Sequence, residues 1–248
     1  MKLIHMRPEQ IKEAVGRNVP LLMAAGVVEY HGPHLPIGTD LLIAESIAAR
    51  VERRCECVLA PSFPYGPTME WAGGSEEGEM DFEPEPFARY VKETLRHFLK
   101  MGFKRIYVLQ HHAGPEGLQS LCIRQAAAAL IRETGLGWGA GWGRKPKEEL
   151  PDPNVFRSIR VAGPSTFSGN VDAQGRQLSF GHAGQGETEF ILADWPEDVD
   201  LARLADMSPL PYWLRDAHKA GPEQGERWLE FCTAGWVREL GGKESEGL

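Results

Sequence analysis

What the sequence lacks narrows what it can be. No apolar run approaches the ~18–20 residues that a membrane span needs, and Met1 to Pro8 carries no apolar stretch of secretory-leader type. Basic residues are in deficit: Lys plus Arg number 27 against 35 Asp plus Glu, a net charge of −8 with no cationic block to neutralise phosphates. Neither nucleic acid nor a membrane is expected as a partner, and the expected setting is the cytoplasm. Cysteine is scarce. Cys55, Cys57, Cys122 and Cys232 show no CxxC spacing and are expected as free thiols rather than a disulfide framework or a zinc knuckle. A GxSxG elbow is also missing, which counts against a serine hydrolase.

What is present is ordinary for a globular enzyme-sized domain: 248 residues, 42% hydrophobic and 25% charged. With no linker or domain-length repeat, one domain over 1–248 is expected. Strand-length apolar runs alternate with segments of helical period, which implies βα units around a mostly parallel sheet. Strands are expected over 20–25, 57–60, 105–109 and 155–161, and helices over 40–53, 87–101 and 116–133. A short helix should end near Asp194 and a last one should cover 228–237. Thr39 is a candidate N-cap. Residues 61–86 form a long irregular stretch rich in Gly, Pro and acids, a candidate substrate rim, whose acidic run 76–85 reads as a solvated loop. The Gly/Trp run 135–143 is a candidate mobile lid, with a packed connector as the alternative.

In an open α/β sheet, ligands bind beyond the carboxyl ends of the strands. Chemistry-bearing residues collect there in three turns: Glu29 to Asp40, Gln110 to Gly114, and Gly181 to Thr188. Of the eight histidines, His31, His34, His111, His112 and His182 fall in these turns. Glu29 and His31, two apart, point to the same side of an extended chain, and Asp40 at a helix start could bridge two ions. Carboxylate with imidazole suits zinc, manganese or iron. Singly, each could be a solvated turn residue or a helix-dipole partner worth about 0.3–1 kcal/mol. Together they mark a site.

The first turn, Glu29-x-His31-Gly32-x-His34-Leu35-Pro36-x-Gly38-Thr39-Asp40, resembles the signature turn of the creatininase (creatinine amidohydrolase) family. Gly66 in Pro64-Tyr65-Gly66, the strand leading to Gln110-His111-His112-Ala113-Gly114, and Gly181-His182-Ala183-Gly184-x-x-Glu187-Thr188 resemble its later motifs. The resemblance implies a three-layer α/β/α sandwich, a metal-dependent hydrolase, and a homo-oligomer, in many members a hexamer. It implies one metal on Glu29, Asp40 and His112, a second on His31, Asp40 and Glu187, and His182 as proton shuttle. Hydrolysis would then use water activated between two divalent ions, with His182 protonating the leaving group.

This chain departs from the family at the pocket wall. Gly114 stands where enzymes acting on creatinine carry Glu, Gln110-His111 replaces Asn-Gly, and Glu70-Trp71 replaces Glu-His. The expected substrate is therefore a small polar, cyclic molecule other than creatinine, contacted by His34, Glu70, Trp71 and His111. It would be a cyclic amide or related C–N bond, or an activated ring ketone or lactone. The competing reading is a binding or assembly subunit that kept the fold without catalysis.

Overall fold

The computed structural model describes residues 1–151 and 154–241. Strands β1 (Leu21–Ala25), β2 (Val58–Leu59), β3 (Ile106–Gln110) and β4 (Ile159–Ala162) form one parallel sheet in the order β2-β1-β3-β4. Register is continuous through the centre, with Leu21 opposite Ile106 and Ala25 opposite Gln110. The helices are α1 (Pro8–Gly16), α2 (Thr39–Glu52), α3 (Pro84–Met101), α4 (Leu118–Gly137), α5 (Gln185–Asp194) and α6 (Pro222–Gly241).

Alternation along the strands divides the core in two. Leu22, Ala24, Tyr107 and Leu109 face a cluster built with α2, α5 and α6. Leu21, Met23, Ile106 and Val108 face a second cluster built with α1, α3 and α4. Helices cover both faces, which is the expected α/β/α sandwich. Both strands of the central pair are buried throughout, as the near-continuous apolar sequence of a doubly covered parallel sheet requires.

The order of winding reverses between β1 and β3: one crossover runs outward to β2 and another outward to β4. A crevice opens beyond the carboxyl ends of these two strands, where neighbouring connections leave in opposite directions. Gly26 keeps the crevice tight, because a Cβ there would lie 2.4 Å from the Leu41 backbone nitrogen. Only glycine lets the end of β1 meet the start of α2.

Several boundaries differ from expectation. Residues 155–157 form a 3-10 turn ahead of β4 rather than part of the strand. Helix α2 starts at Thr39 with Gly38 as its cap, and the Thr39 hydroxyl donates instead to the Pro36 carbonyl at 2.7 Å. Helix α4 continues through Gly135 and Gly137, since good helix formers before them carry the hydrogen bonds onward. α1, which sequence reading did not anticipate, packs Ala14 against the sheet. All four cysteines are free. Among the described residues, no helix is long and apolar enough to cross a membrane.

Candidate active site

The three turns meet at the crevice. Glu29 and His31 follow β1, Asp40 sits in the first turn of α2, His111 and His112 follow β3, and His182 and Glu187 flank the start of α5. All but His182 are buried. Two donor sets result, Glu29–Asp40–His112 and His31–Asp40–Glu187, each with one ligand atom per residue within 4.8 Å of the others. Asp40 belongs to both: its Oδ2 lies 2.9 Å from His112 Nδ1, and its Oδ1 lies 3.6 Å from His31 Nε2.

Three of the donor atoms are buried without a hydrogen bond. His31 Nδ1 lies 2.9 Å from the Glu29 carbonyl, which can only accept, so Nδ1 carries a hydrogen and Nε2, facing Asp40 and Glu187, is the nitrogen that can hold either a proton or a metal ion. That Nε2 and both carboxylate oxygens of Glu29 are buried without a hydrogen bond. Buried carboxylate oxygens without partners are costly, and a divalent ion satisfies them. The residues present therefore fit a metal pair.

The charges say the same. Burial alone would lower His31 and His112, but the surrounding carboxylates, Asp40 foremost, push both up to about 10. Burial would raise Asp40, yet the two imidazoles hold it well below the usual carboxylate range. Three carboxylates in one buried pocket need positive charge, supplied by protons or by metal.

His182 stands above this floor. Its Nε2 lies 2.9 Å from the Tyr30 carbonyl, so Nε2 carries the hydrogen and Nδ1 faces Glu29 at 3.7 Å. Burial, and then the charge of His31, lowers its pKa. Its ring is boxed by His31, Trp71 and Trp213, with centroids at 4.3, 4.7 and 4.9 Å. With Glu29 and His31 it also forms a third possible donor set.

A cavity of about 600 Å³ opens over the cluster, walled by Trp71, Phe180, Gly114, Arg124 and the segment 163–170. A second, of about 560 Å³, begins across Trp71, Gly181 and His182.

The four expected substrate contacts fare differently. Trp71 and His111 line the first cavity. His111 also sits at the cluster, its Nε2 3.0 Å from Glu187 Oε1. His34 does not reach the cavity: it is buried behind His31, where its Nε2 bonds the Thr188 hydroxyl at 3.0 Å, and burial pushes it down to about 4. Glu70 is exposed and outside the cavity wall, although its neighbour Trp71, itself partly open to solvent, lines it.

The turn before Trp71 is strained: Met69 and Glu70 have φ of 70° and 49°. So are Ala113 and Ala183, at 50° and 49°. Each follows a histidine of the site in a His-Ala-Gly triplet, so the two turns use the same bend to aim His112 and His182. The repeated triplet was a signal present in the sequence. Less legible were the buried braces. Glu79 accepts from Thr68 Oγ1 at 2.6 Å and from the Tyr30 amide at 3.3 Å. Gln119 donates to the Gly26 carbonyl at 2.6 Å.

The Gly/Trp run is not a lid. It begins at the far end of α4, about 30 Å from the helix start beside the cavity. Trp138 and Trp142 pack edge to face at 4.9 Å, and Trp142 leans on Phe156.

The family model described as Creatininase, creatinine amidohydrolase, matches residues 5–240. The creatinine amidohydrolase of Pseudomonas putida is 25% identical over 240 residues, covering 87% of this chain and 86% of its own length. The 3-dehydro-scyllo-inosose hydrolase of Thermotoga maritima is 24% identical, covering 87% of this chain and 63% of its own. The mycofactocin precursor peptide peptidase of Mycolicibacterium smegmatis is 31% identical, covering 77% and 68%. A solved manganese creatininase superposes with a TM-score of 0.76 at 20% identity, over 98% of this chain and 99% of that one. A mutant creatininase of zinc–zinc type gives 0.75 at 20%, over 98% of each chain. At such identities these structures establish the fold.

Proposed function

The chain belongs to the creatininase family of metal-dependent hydrolases, and on that premise we propose that it hydrolyses a small polar, cyclic substrate at a carbonyl carbon. A cyclic amide or related C–N bond, or an activated ring ketone or lactone, fits this reading. The observation that carries it is the pair of buried donor sets sharing Asp40 at the floor of a cavity of about 600 Å³. Two divalent ions, zinc, manganese or iron, held by Glu29, His31, Asp40, His112 and Glu187 would supply Lewis-acid polarisation of the carbonyl and a water of near-neutral pKa.

The chain's own residues do the rest. Glu29, Asp40 and Glu187 fix the negative charge of the floor, and the Ala183 amide donates to Glu187 Oε2 at 2.7 Å to hold that carboxylate in place. His182, tied through Nε2 to Tyr30, presents Nδ1 to the cavity, takes a proton from the attacking water and returns it to the leaving group. Trp71 and Phe180 give flat walls that suit a ring and exclude bulk water. The relatives' names span a creatinine hydrolase, an inosose hydrolase and a peptidase. That spread supports a constant floor with variable walls, and Gly114 and the rebuilt segment around Trp71 put creatinine itself out of favour. A homo-oligomer, hexameric in the family pattern, belongs to the same proposal, and analytical ultracentrifugation reads it.

A non-catalytic binding subunit would have no use for a buried Glu29 whose oxygens accept no hydrogen bond and face only imidazoles. Elemental analysis separates the two. We expect two equivalents of transition metal per chain and turnover of at least one compound among cyclic imides, lactones, formamides and oxidised cyclic polyols. Protein that stays metal-free after metal-supplemented purification overturns the proposal.

A further inference from the structure

We infer that Arg124 anchors a carboxylate at the end of the substrate remote from the bond that is cleaved. The inference rests on the hydrolase reading above and names a property of its substrate. Arg124 lies in the second turn of α4 and lines the same cavity as the cluster, from an element that supplies none of the cluster's donor atoms. Its Nε donates to Ser120 Oγ at 3.1 Å. That bond orients the guanidinium and leaves both terminal nitrogens free to bond a carboxylate in the forked geometry arginine favours.

The charge balance of the cavity singles this residue out. Arg50, Arg54, Arg89, Arg96, Arg160 and Arg176 each pair with a carboxylate. Among the described residues, no carboxylate lies within ion-pair distance of Arg124. The acidic residues lining the cavity are Glu29, Asp40 and Glu187 alone, all in the cluster at its floor. The first turn of α4 carries no acid. With metal neutralising the floor, the cavity has one uncompensated positive charge, at its rim. Ser165 and Asn170 line the same cavity; the Ser165 hydroxyl donates to Asn170 Oδ1 at 2.7 Å, which leaves the Asn170 NH₂ group as a neutral donor. A single guanidinium with neutral donors in the same cavity wall matches the one charge of a carboxylate better than the ≈ −1.5 to −2 of a phosphate ester.

The test uses metal-loaded protein and ligands that cannot be hydrolysed, so it reads binding and not turnover. Glutarate is compared with 5-hydroxypentanoate, and adipate with 6-hydroxyhexanoate, by isothermal titration calorimetry. Each pair differs only in whether the end remote from the metals is charged. In the wild type, the dicarboxylate of at least one length should bind about tenfold or more tightly than its hydroxy partner, as a charge-assisted bond requires. The preference should fall to about twofold or less in Arg124→Gln, survive in part in Arg124→Lys, and weaken with added salt. Arg124 is solvent-exposed, so both variants should fold, which thermal melts check.

Equal affinities within both pairs in the wild type, including no binding at all, overturn the anchor. A preference that Arg124→Gln leaves unchanged overturns it too. Metal content of the same preparations separates this from the hydrolase reading: two ions retained without any preference sinks the anchor alone, whereas a wild type that takes up no metal sinks both.

Discussion

Asp40 is where the proposed chemistry converges, since its two oxygens face different donor sets. Asp40→Ala should therefore empty both metal sites together, and elemental analysis of the purified variant checks it; wild-type occupancy would dissolve the bridging assignment. His182 stands nearby with a different expected signature. As a shuttle, its replacement by Ala should leave both ions in place and lower kcat by roughly 10²–10⁴-fold. Because His182 also completes a donor set with Glu29 and His31, loss of an ion in that variant would make it a ligand instead. The strained alanines give a stability test. Ala113 is exposed at φ 50°, so Ala113→Gly should stabilise by about 0.5–1 kcal/mol through relief of the left-handed conformation. Ala183, at φ 49° but fully buried, loses a core methyl worth about 0.8 kcal/mol on the same change and should gain little or nothing. Urea melts of the two variants compare them directly.

At the level of elements, the segment 66–82 decides what the cavity sees. Trp71 reaches His182 because Glu79, buried among solvated acids, ties Thr68 and the Tyr30 amide together. The Asp81 carboxylate accepts the Thr68 and Met69 amides at 2.7 and 3.1 Å from the other side. Glu79→Ala leaves buried donors unsatisfied, at a cost of about 1–3 kcal/mol. We expect faster proteolytic cleavage within 66–82, red-shifted tryptophan emission, and a rise in KM larger than the fall in kcat. Unchanged cleavage would mean that other contacts hold the segment. The acidic run looked uniform in the sequence, and nothing in its composition marked Glu79 as the one turned inward. The Gly/Trp run shows the opposite failure: its composition promised mobility beside the ligand, while its place at the end of a 20-residue helix put it on the far side of the molecule.

The whole molecule should depend on its metals. Ions that bind only the folded state stabilise it by about 4 kcal/mol per site at a thousandfold excess over Kd. Chelation should thus lower Tm on the order of 10 °C or more for a chain of this size. The metal-free protein should also acquire a pH dependence. His31 and His112, raised from 6.5 to about 10 by the neighbouring carboxylates, contribute stability that is fully present below pH 6.5 and lost as pH rises through 10. Metal-loaded protein, whose imidazoles have already given up those protons, should lack that slope. Melts at several pH values with and without chelator read the difference. At the level of the reaction, creatinine hydrolysis should be negligible, because a site built for other polar groups rejects an analogue lacking them by as much as ~10⁴–10⁵. A kcat/KM near 10⁴ M⁻¹s⁻¹ or above for creatinine would mean that Gly114 and the segment around Trp71 do not set specificity.

The alternation of apolar strands with helical segments determined the layered α/β architecture, because period and burial are local properties of the chain. The turns determined which residues are proposed for the chemistry, since Glu29, His31, Asp40, His112, His182 and Glu187 stand in short motifs with recognisable spacing. Sequence could not say which of the turn histidines join the donor cluster: His34 and His31 are three residues apart, yet one bonds Thr188 in the core and the other faces Asp40. Only the tertiary structure decided that, through the reversal of winding between β1 and β3, which brings the ends of distant segments to one crevice. It also decided that Arg124, one of many surface-type arginines in the sequence, borders a cavity whose acids are all at the floor. Charge pairing depends on distances between residues far apart in the chain, and those distances exist only once the sheet and its helices have packed.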